Sequence, residues 1–497
     1  MQNRFNRVGS KEWLPFQKSW FPYSGHVNLY RSNLRFFCKA EADISGVFYM
    51  GSQRSLFENI CREENIPLLP SNDTTSPIQF VCIDLLDDIN KSTTPEVFAV
   101  IDKKVCDLLL SLNPRIEHRR FVIILARNVQ VGPRYFAYAW LLAKKVSEIF
   151  SLKDEKIGCM EDEKSIPRDG IFQPQKEIFY SLYFRKDELS KGTEPVGEYN
   201  FFTRNEQQAA PRLFENELAA WFILKPQPRK KQEVLHPAKY PEDLVDRLLK
   251  VFTEPGQTVF DPMSGTGSTQ VGALRQGRNA FGTELSDFFA GIANQRCEAI
   301  CQPSYTVLET GQPYLSAGRP VNLSTMPFGN QARQPTSHPQ WKITQKDARL
   351  ITAADTLPID YLLTSPPYWD MLNMKGAENQ AKRIEKGLQT NYSDNQEDLG
   401  NQSDYNAFVK ELADIYFNIY DQMQPGAYAT IVVKNIKKKG SNYPFAWDLA
   451  LALQEKFILL PEVFWCQDDL NLAPYGYGNT WVSNTFHQYC LNFQKPL

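Results

Sequence analysis

The chain has 497 residues, 42% apolar and 23% charged, with a net charge of −2. That length suits roughly two to four domains with buried cores. The near-neutral balance excludes a polycationic nucleic-acid binder, so any nucleic-acid surface must be local. No apolar run reaches about 18 residues, so no membrane span is expected. The N-terminus, MQNRFNRVGSKEW, lacks the apolar core of a secretory leader. Nine cysteines without a C-x-x-C pair and five histidines without paired spacing point away from a metal centre and towards free thiols in a reducing, cytoplasmic setting.

Residues 1–200 alternate apolar strands and helices. The pattern predicts strands at 80–84, 121–126 and 178–184 and helices at 96–112 and 138–150. A basic, proline-containing stretch around Lys225-Pro-Gln-Pro-Arg-Lys-Lys marks 201–235 as a linker, with a catalytic domain expected over 236–497. There, His236-Pro-Ala-Lys-Tyr leads into a helix at 244–252. A strand begins at Thr258, a helix at about Gln270, a strand fills 279–284 and a helix 288–300. A polar stretch at 311–346 is free of acids, with Arg319, Arg333 and Lys342 suited to phosphate contacts. After a strand at 359–363 and a polar segment at 372–404 come a helix at 405–422, a Pro425-Gly426 turn, a strand at 428–434 and a helix at 445–457. This alternation predicts an α/β fold with a doubly wound, mostly parallel Rossmann-like sheet.

An internal repeat links the two ends of the chain. RNVQVGPRYFAYAWLLAKKVSEIF at 127–150 aligns without gaps to KNIKKKGSNYPFAWDLALALQEKF at 434–457, matching Asn128 with Asn435 and Trp140 with Trp447. The N-terminal region thus reads as a degenerate partial copy of the catalytic half. It has no proline pair after its 80–84 strand, so that copy is expected to be inactive and to serve recognition or assembly.

The chemistry concentrates in two loops. Asp261-Pro262-Met-Ser264-Gly265-Thr266-Gly267 runs from a strand into a helix, where glycines let the backbone approach a ligand. Glu284 ends the next strand, where an acid can accept ribose hydroxyls, and Asp347 opens a third loop. Neither the full G-x-G-x-x-G nor a Walker A sequence is present, so a nucleoside without phosphates fits better. The second loop is LLTSPPYWDM, from Leu362 to Met371. Its proline pair ends the strand and holds Ser365 extended, at the sheet edge where open α/β sheets bind ligands. Lys434 and Asn435 end the following strand, either to touch target or cofactor or to cap a helix.

Taken in order, HPAKYPEDL, DPMSGTGST, GTELS, KDAR and TSPPYW over 236–497 resemble the S-adenosylmethionine-dependent amino-methylating DNA methyltransferases. The resemblance implies cofactor contacts from His236, Asp261, Pro262, Ser264, Gly265, Thr266, Gly267, Glu284 and Asp347. It implies a catalytic loop of Ser365, Pro366, Pro367 and Tyr368, without a metal. The serine of TSPPY resembles the cytosine-N4 branch. Adenine-N6 methylation, RNA base methylation and an inactive nucleic-acid-binding scaffold are the other readings. The implied partners are double-stranded DNA with a flipped target base and cognate restriction or defence proteins. Carbon-5 methylation would call for a cysteine after a proline, and no Pro-Cys dipeptide occurs. Because the catalytic half has little room for a recognition domain, residues 1–200 are expected to supply part of the DNA grip. A 201–497 fragment that folds is expected to bind S-adenosylmethionine yet lose sequence selectivity.

Overall fold

The structure, a computed structural model, describes residues 8–39, 45–91, 94–161, 169–195, 209, 211–214, 216–225, 240–301, 305–307, 313–315, 339–369, 399–438, 440–468 and 483–497. Contacts divide the chain into a unit of Pro226–Thr430 and a unit that joins Met1–Lys225 to Ile431–Leu497. The end of the expected catalytic domain therefore groups with the N-terminal region.

In the unit Pro226–Thr430, strand Thr258–Asp261 lies between Ile359–Thr364 and Asn279–Glu284, and Trp341–Gln345 follows. All these pairings are parallel. The loops after the four strands consequently open on one sheet edge, as expected for a doubly wound sheet. Helix Glu242–Phe252 buries Leu244, Val245, Leu248, Leu249 and Phe252. The Phe252 ring stacks on Tyr361 at 5.5 Å. Helix Ser268–Arg275 starts earlier than its apolar pattern suggests, because left-handed Gly267 (φ 77°) forms its N-cap. Helix Tyr405–Tyr420 is capped by Asp404, whose side chain accepts from Ala407 N at 2.7 Å. Strand Met423–Val433 takes in the Pro425-Gly426 pair expected as a separate turn.

In the other unit a six-stranded sheet has the order Trp20–Pro22, Ser151–Cys159, Ile178–Arg185, Ile116–Ala126, Ile78–Asp84 and Gly46–Met50. Its C-terminal segment pairs Val463–Cys466 with His487–Gln494, antiparallel, and with Trp221–Ile223, parallel. The expected linker 201–235 therefore carries two strands, Trp221–Ile223 and Arg212–Leu213, the latter paired with Asp169–Gly170.

The repeat is more extensive than the sequence suggested. Strand Ile116–Ala126 matches Met423–Val433. Hairpin Val129–Val131/Arg134–Phe136 matches Ile436–Lys438/Ser441–Tyr443. Helix Tyr138–Val146 matches Phe445–Leu453, and Ser151 matches Ile458, all at one spacing of 307 residues. Trp20 pairs with Ile157 as Trp221 pairs with Phe464. The six-stranded sheet ends at Gly46–Met50, the counterpart of Thr258–Asp261. Among the described residues it has no counterpart of Asn279–Glu284 or Trp341–Gln345.

Candidate cofactor and catalytic site

Asp261 closes its strand fully buried, and the protein itself engages its carboxylate. Oδ1 accepts from Met263 N at 3.0 Å and from Thr364 Oγ1 at 2.7 Å; Oδ2 accepts from Thr269 Oγ1 at 2.8 Å and from Tyr240 Oη at 3.0 Å. Burial raises its pKa, and these four donors oppose the rise. A carboxylate has about four acceptor sites, so Asp261 acts as the clasp of the glycine loop rather than as a contact to a ligand. Thr364 joins the clasp from the strand that delivers Ser365, so the two motif loops share one anchor. Sequence reasoning missed Tyr240, Thr269 and Thr364, although all three lie inside the quoted motifs HPAKYPEDL, DPMSGTGST and TSPPYW.

The loop is then fixed from its other side. Ser264 N donates to Thr283 O at 2.9 Å, Ser264 Oγ to the Asp261 carbonyl at 3.0 Å, and Gln270 Nε2 to Ser264 Oγ at 2.8 Å. Thr283 Oγ1 donates to Pro262 O at 2.7 Å. Gly265 and Gly267 both have positive φ, 52° and 77°. A Cβ on Gly267 would stand 2.9 Å from Ala293 Cβ. Gly282, also missed from the sequence, carries a harder constraint. A Cβ there would collide with Gln270 Nε2 and Ser264 Oγ and stand 2.6 Å from the Asp261 carbonyl oxygen. Thr266 offers its carbonyl to Arg296, which is also paired with Glu242.

Glu284 accepts from Gly265 N at 2.8 Å through Oε2 and from Ser286 N at 2.9 Å through Oε1. The acid expected at a ribose is thus tied directly to the glycine loop. Asp347 caps a short 3-10 turn. Arg349 reaches it through backbone N at 2.9 Å and through Nε at 3.0 Å, and also binds Glu411 at 2.7 Å. Burial would raise the Asp347 pKa, but the Arg349 bonds and charge outweigh it and hold the carboxyl below its ordinary value. Asp347 thus reaches this edge as a fixed anion.

Strand Ile359–Thr364 delivers the proline loop. Ser365 and Pro367 are half-buried, and Pro366 is buried. Tyr368 and Trp369 are buried, and the Trp369 ring meets Tyr405 edge-on at 5.3 Å. A glycine loop, an acid at the next strand end, an acid at the one beyond and the proline loop share one sheet edge. This donor set fits a cationic nucleoside without phosphates. His236, Arg319 and Arg333 lie outside the described residues, whereas Lys342 is exposed on strand Trp341–Gln345.

In the other unit, Asn435 takes the helix-capping role: its Oδ1 accepts from Ala446 N at 2.8 Å. Burial lowers the pKa of neighbouring Lys434. In the N-terminal copy the groove positions are filled differently. Tyr49 stands at the end of the strand matching Thr258–Asp261, and Tyr30 donates to Asp84, which ends the strand matching Ile359–Thr364. The Tyr30 and Tyr49 hydroxyls lie 3.1 Å apart.

A family model described as DNA methylase, of the N6/N4 methyltransferase kind, matches residues 128–295. The match opens inside the N-terminal repeat and runs through the glycine loop into helix Asp287–Cys301. The type II methyltransferase M.ScaI of Streptomyces caespitosus is 27% identical over 141 residues, covering 26% of this chain and 46% of that protein. M.BglII and M.BglI of Bacillus subtilis, also type II methyltransferases, are 31% identical over 83 residues and 38% over 78. They cover 17% and 16% of this chain and 23% and 21% of their own lengths. The chain thus spans less than half the length of these curated relatives. The family match runs through the same glycine loop that Asp261 clasps, so over residues 128–295 the chain is similar to the N6/N4 DNA methylases.

Proposed function

We propose that the chain transfers a methyl group from S-adenosylmethionine to the exocyclic N4 amine of cytosine in DNA, as a modification enzyme. The observation that carries this reading is the single sheet edge shared by the clasped glycine loop, Glu284, Asp347 and Ser365-Pro366-Pro367-Tyr368. The bound cofactor supplies an electrophilic methyl sulfonium. Gly265, Gly267 and Glu284 cradle its nucleoside part.

The target amine is a poor nucleophile, because its lone pair conjugates with the ring. Acceptors around the NH2 favour a pyramidal nitrogen and take up developing positive charge. The Ser365 hydroxyl and the Pro366 carbonyl are suited to this. The proline pair fixes the direction of that carbonyl in advance, which is electrostatic preorganisation. The base must leave the duplex to be reached. Tyr368 is buried, so base capture on this reading displaces its covering.

Mass spectrometry of nucleosides from DNA methylated by the purified chain tests the proposal. N4-methylcytosine is the expected product. N6-methyladenine would move the assignment to the adenine branch, and no methylated base in DNA would overturn it.

A further inference from the structure

Strand Ser151–Cys159 contains Lys153-Asp154-Glu155-Lys156, a run of charges that would normally be solvated. All four are buried, none more than 3% exposed. Their partners explain this, and most lie in the last 67 residues of the chain. Lys153 Nζ donates to Gly440 O at 3.0 Å and pairs with Asp187 at 2.7 Å. Asp154 pairs with Lys437 at 2.6 Å and accepts from Ser483 N at 2.6 Å. Glu155 accepts from Asn435 Nδ2 at 2.6 Å and from the Tyr489 hydroxyl. His487 Nε2 lies 3.5 Å from it.

The matching position in the second copy, Glu462, reaches the other way. It accepts from Asn128 Nδ2 at 3.0 Å and from the hydroxyls of Tyr135 and Tyr180. Other contacts are reciprocal in the same sense. Trp20 Nε1 donates to Gln467 O at 3.0 Å, and Trp221 Nε1 to Met160 O at 2.8 Å. Asn484 N donates to Gln17 O at 2.7 Å, and Gln175 N to Leu218 O at 2.8 Å. Trp140 and Trp447 stack across the centre at 6.3 Å, with ring planes 11° apart. An interface in which i meets j and j meets i is isologous, the kind two identical subunits make. Here a single chain makes it with itself.

The symmetry is broken in what lies behind each carboxylate. Glu155 belongs to the inactive copy and holds Asn435. Asn435 stands five residues after Thr430, whose hydroxyl bonds Tyr361 at 2.8 Å in the strand that delivers Ser365. Glu462 holds Asn128, in a copy without a proline loop.

We propose that residues 1–225 act as a built-in partner subunit and that Glu155 is a positioning residue: by holding Asn435 it sets the catalytic strand end and the Lys434–Tyr443 arm. This deepens the methyltransferase reading and rests on it. Glu155→Gln keeps one acceptor and turns an amide towards the other donor.

The test compares mirror variants of the full chain, by methyl transfer to unmethylated plasmid DNA normalised to folded protein. E155Q should cut kcat about ten- to a hundredfold and leave the S-adenosylmethionine Kd unchanged. E462Q should lose comparable thermal stability and keep kcat within about twofold. Tyr489→Phe and Tyr180→Phe give the same comparison with a single hydroxyl removed, should either glutamine variant fail to fold. Equal effects on kcat within the mirror pairs, or the reverse asymmetry, overturn the positioning role. The interface is read without activity by inserting a protease site within 226–239 and cleaving the folded chain. The two pieces should elute together, and their separation overturns the built-in partner. A wild-type chain that methylates no DNA, yet whose pieces stay together, removes the function and the positioning role and leaves the interface.

Discussion

Whether a carboxylate at this edge meets a ligand depends on which donors already hold it. Asp261 is engaged by four protein donors, so Asp261→Asn should act on the loop. An amide cannot accept at both positions, and one lost buried bond costs about 1–3 kcal/mol. Thermal unfolding should show that loss together with weaker cofactor binding. Glu284 accepts the amides of Gly265 and Ser286 and, in the proposed function, also meets the cofactor's ribose. Glu284→Ala should weaken S-adenosylmethionine by about 1.5–3 kcal/mol for each charge-assisted bond lost, and unaltered calorimetric affinity would refute that role. Ser365→Ala should leave cofactor and DNA affinity nearly unchanged while lowering the single-turnover rate, because its contact matters chiefly as charge develops. Asp347 titrates below its ordinary value, so its stabilising contribution is present above about pH 4 and fades as pH falls through its depressed folded pKa. Asp347→Asn should therefore cost most near neutrality. Urea unfolding at pH 7 and at about pH 3 should show the gap to wild type shrinking in acid.

At the scale of single elements, the glycine loop depends on the strand beside it. Gly282 lies in mid-strand, and only the missing Cβ lets Gln270 and Ser264 close over it. Gly282→Ala should push the loop from its anchor, costing about 1–3 kcal/mol as an overpacked core position and abolishing cofactor binding. Wild-type calorimetry in that variant would refute the argument. The sequence revealed the elements that glycine and proline punctuate, namely the Asp261–Gly267 loop and the strand before Ser365. Strand Ser151–Cys159 stayed hidden because four successive charges obscure its period, and their burial depends on partners hundreds of residues away. Trp20–Pro22 and Gly46–Met50 were missed because a strand of three to five residues carries too little alternation to stand out. Gly282 and Tyr240 were invisible for a related reason: their role is a close approach in space, which one sequence does not display.

At the scale of the whole molecule, the repeat changes what truncation should do. The motifs alone place a complete catalytic domain at 236–497 and predict that a 201–497 fragment binds cofactor. Yet Ile431–Leu497 groups with Met1–Lys225. Removing residues 1–200 would bare the Trp447 face that meets Trp140 and leave the Asn435 amide and Tyr489 hydroxyl without Glu155. It would also strip Asp154 from Lys437. Exposing a large aromatic and orphaning several buried polar groups costs about 1–3 kcal/mol for each. A few such losses together match the 5–15 kcal/mol that typically holds a domain folded. The 201–497 fragment should therefore aggregate or melt well below the full chain, and its loss of DNA methylation should reflect unfolding rather than lost selectivity. Circular dichroism melting of the soluble fragment beside the intact chain decides this. A cooperative transition within a few degrees of the full chain would show that the catalytic half stands alone.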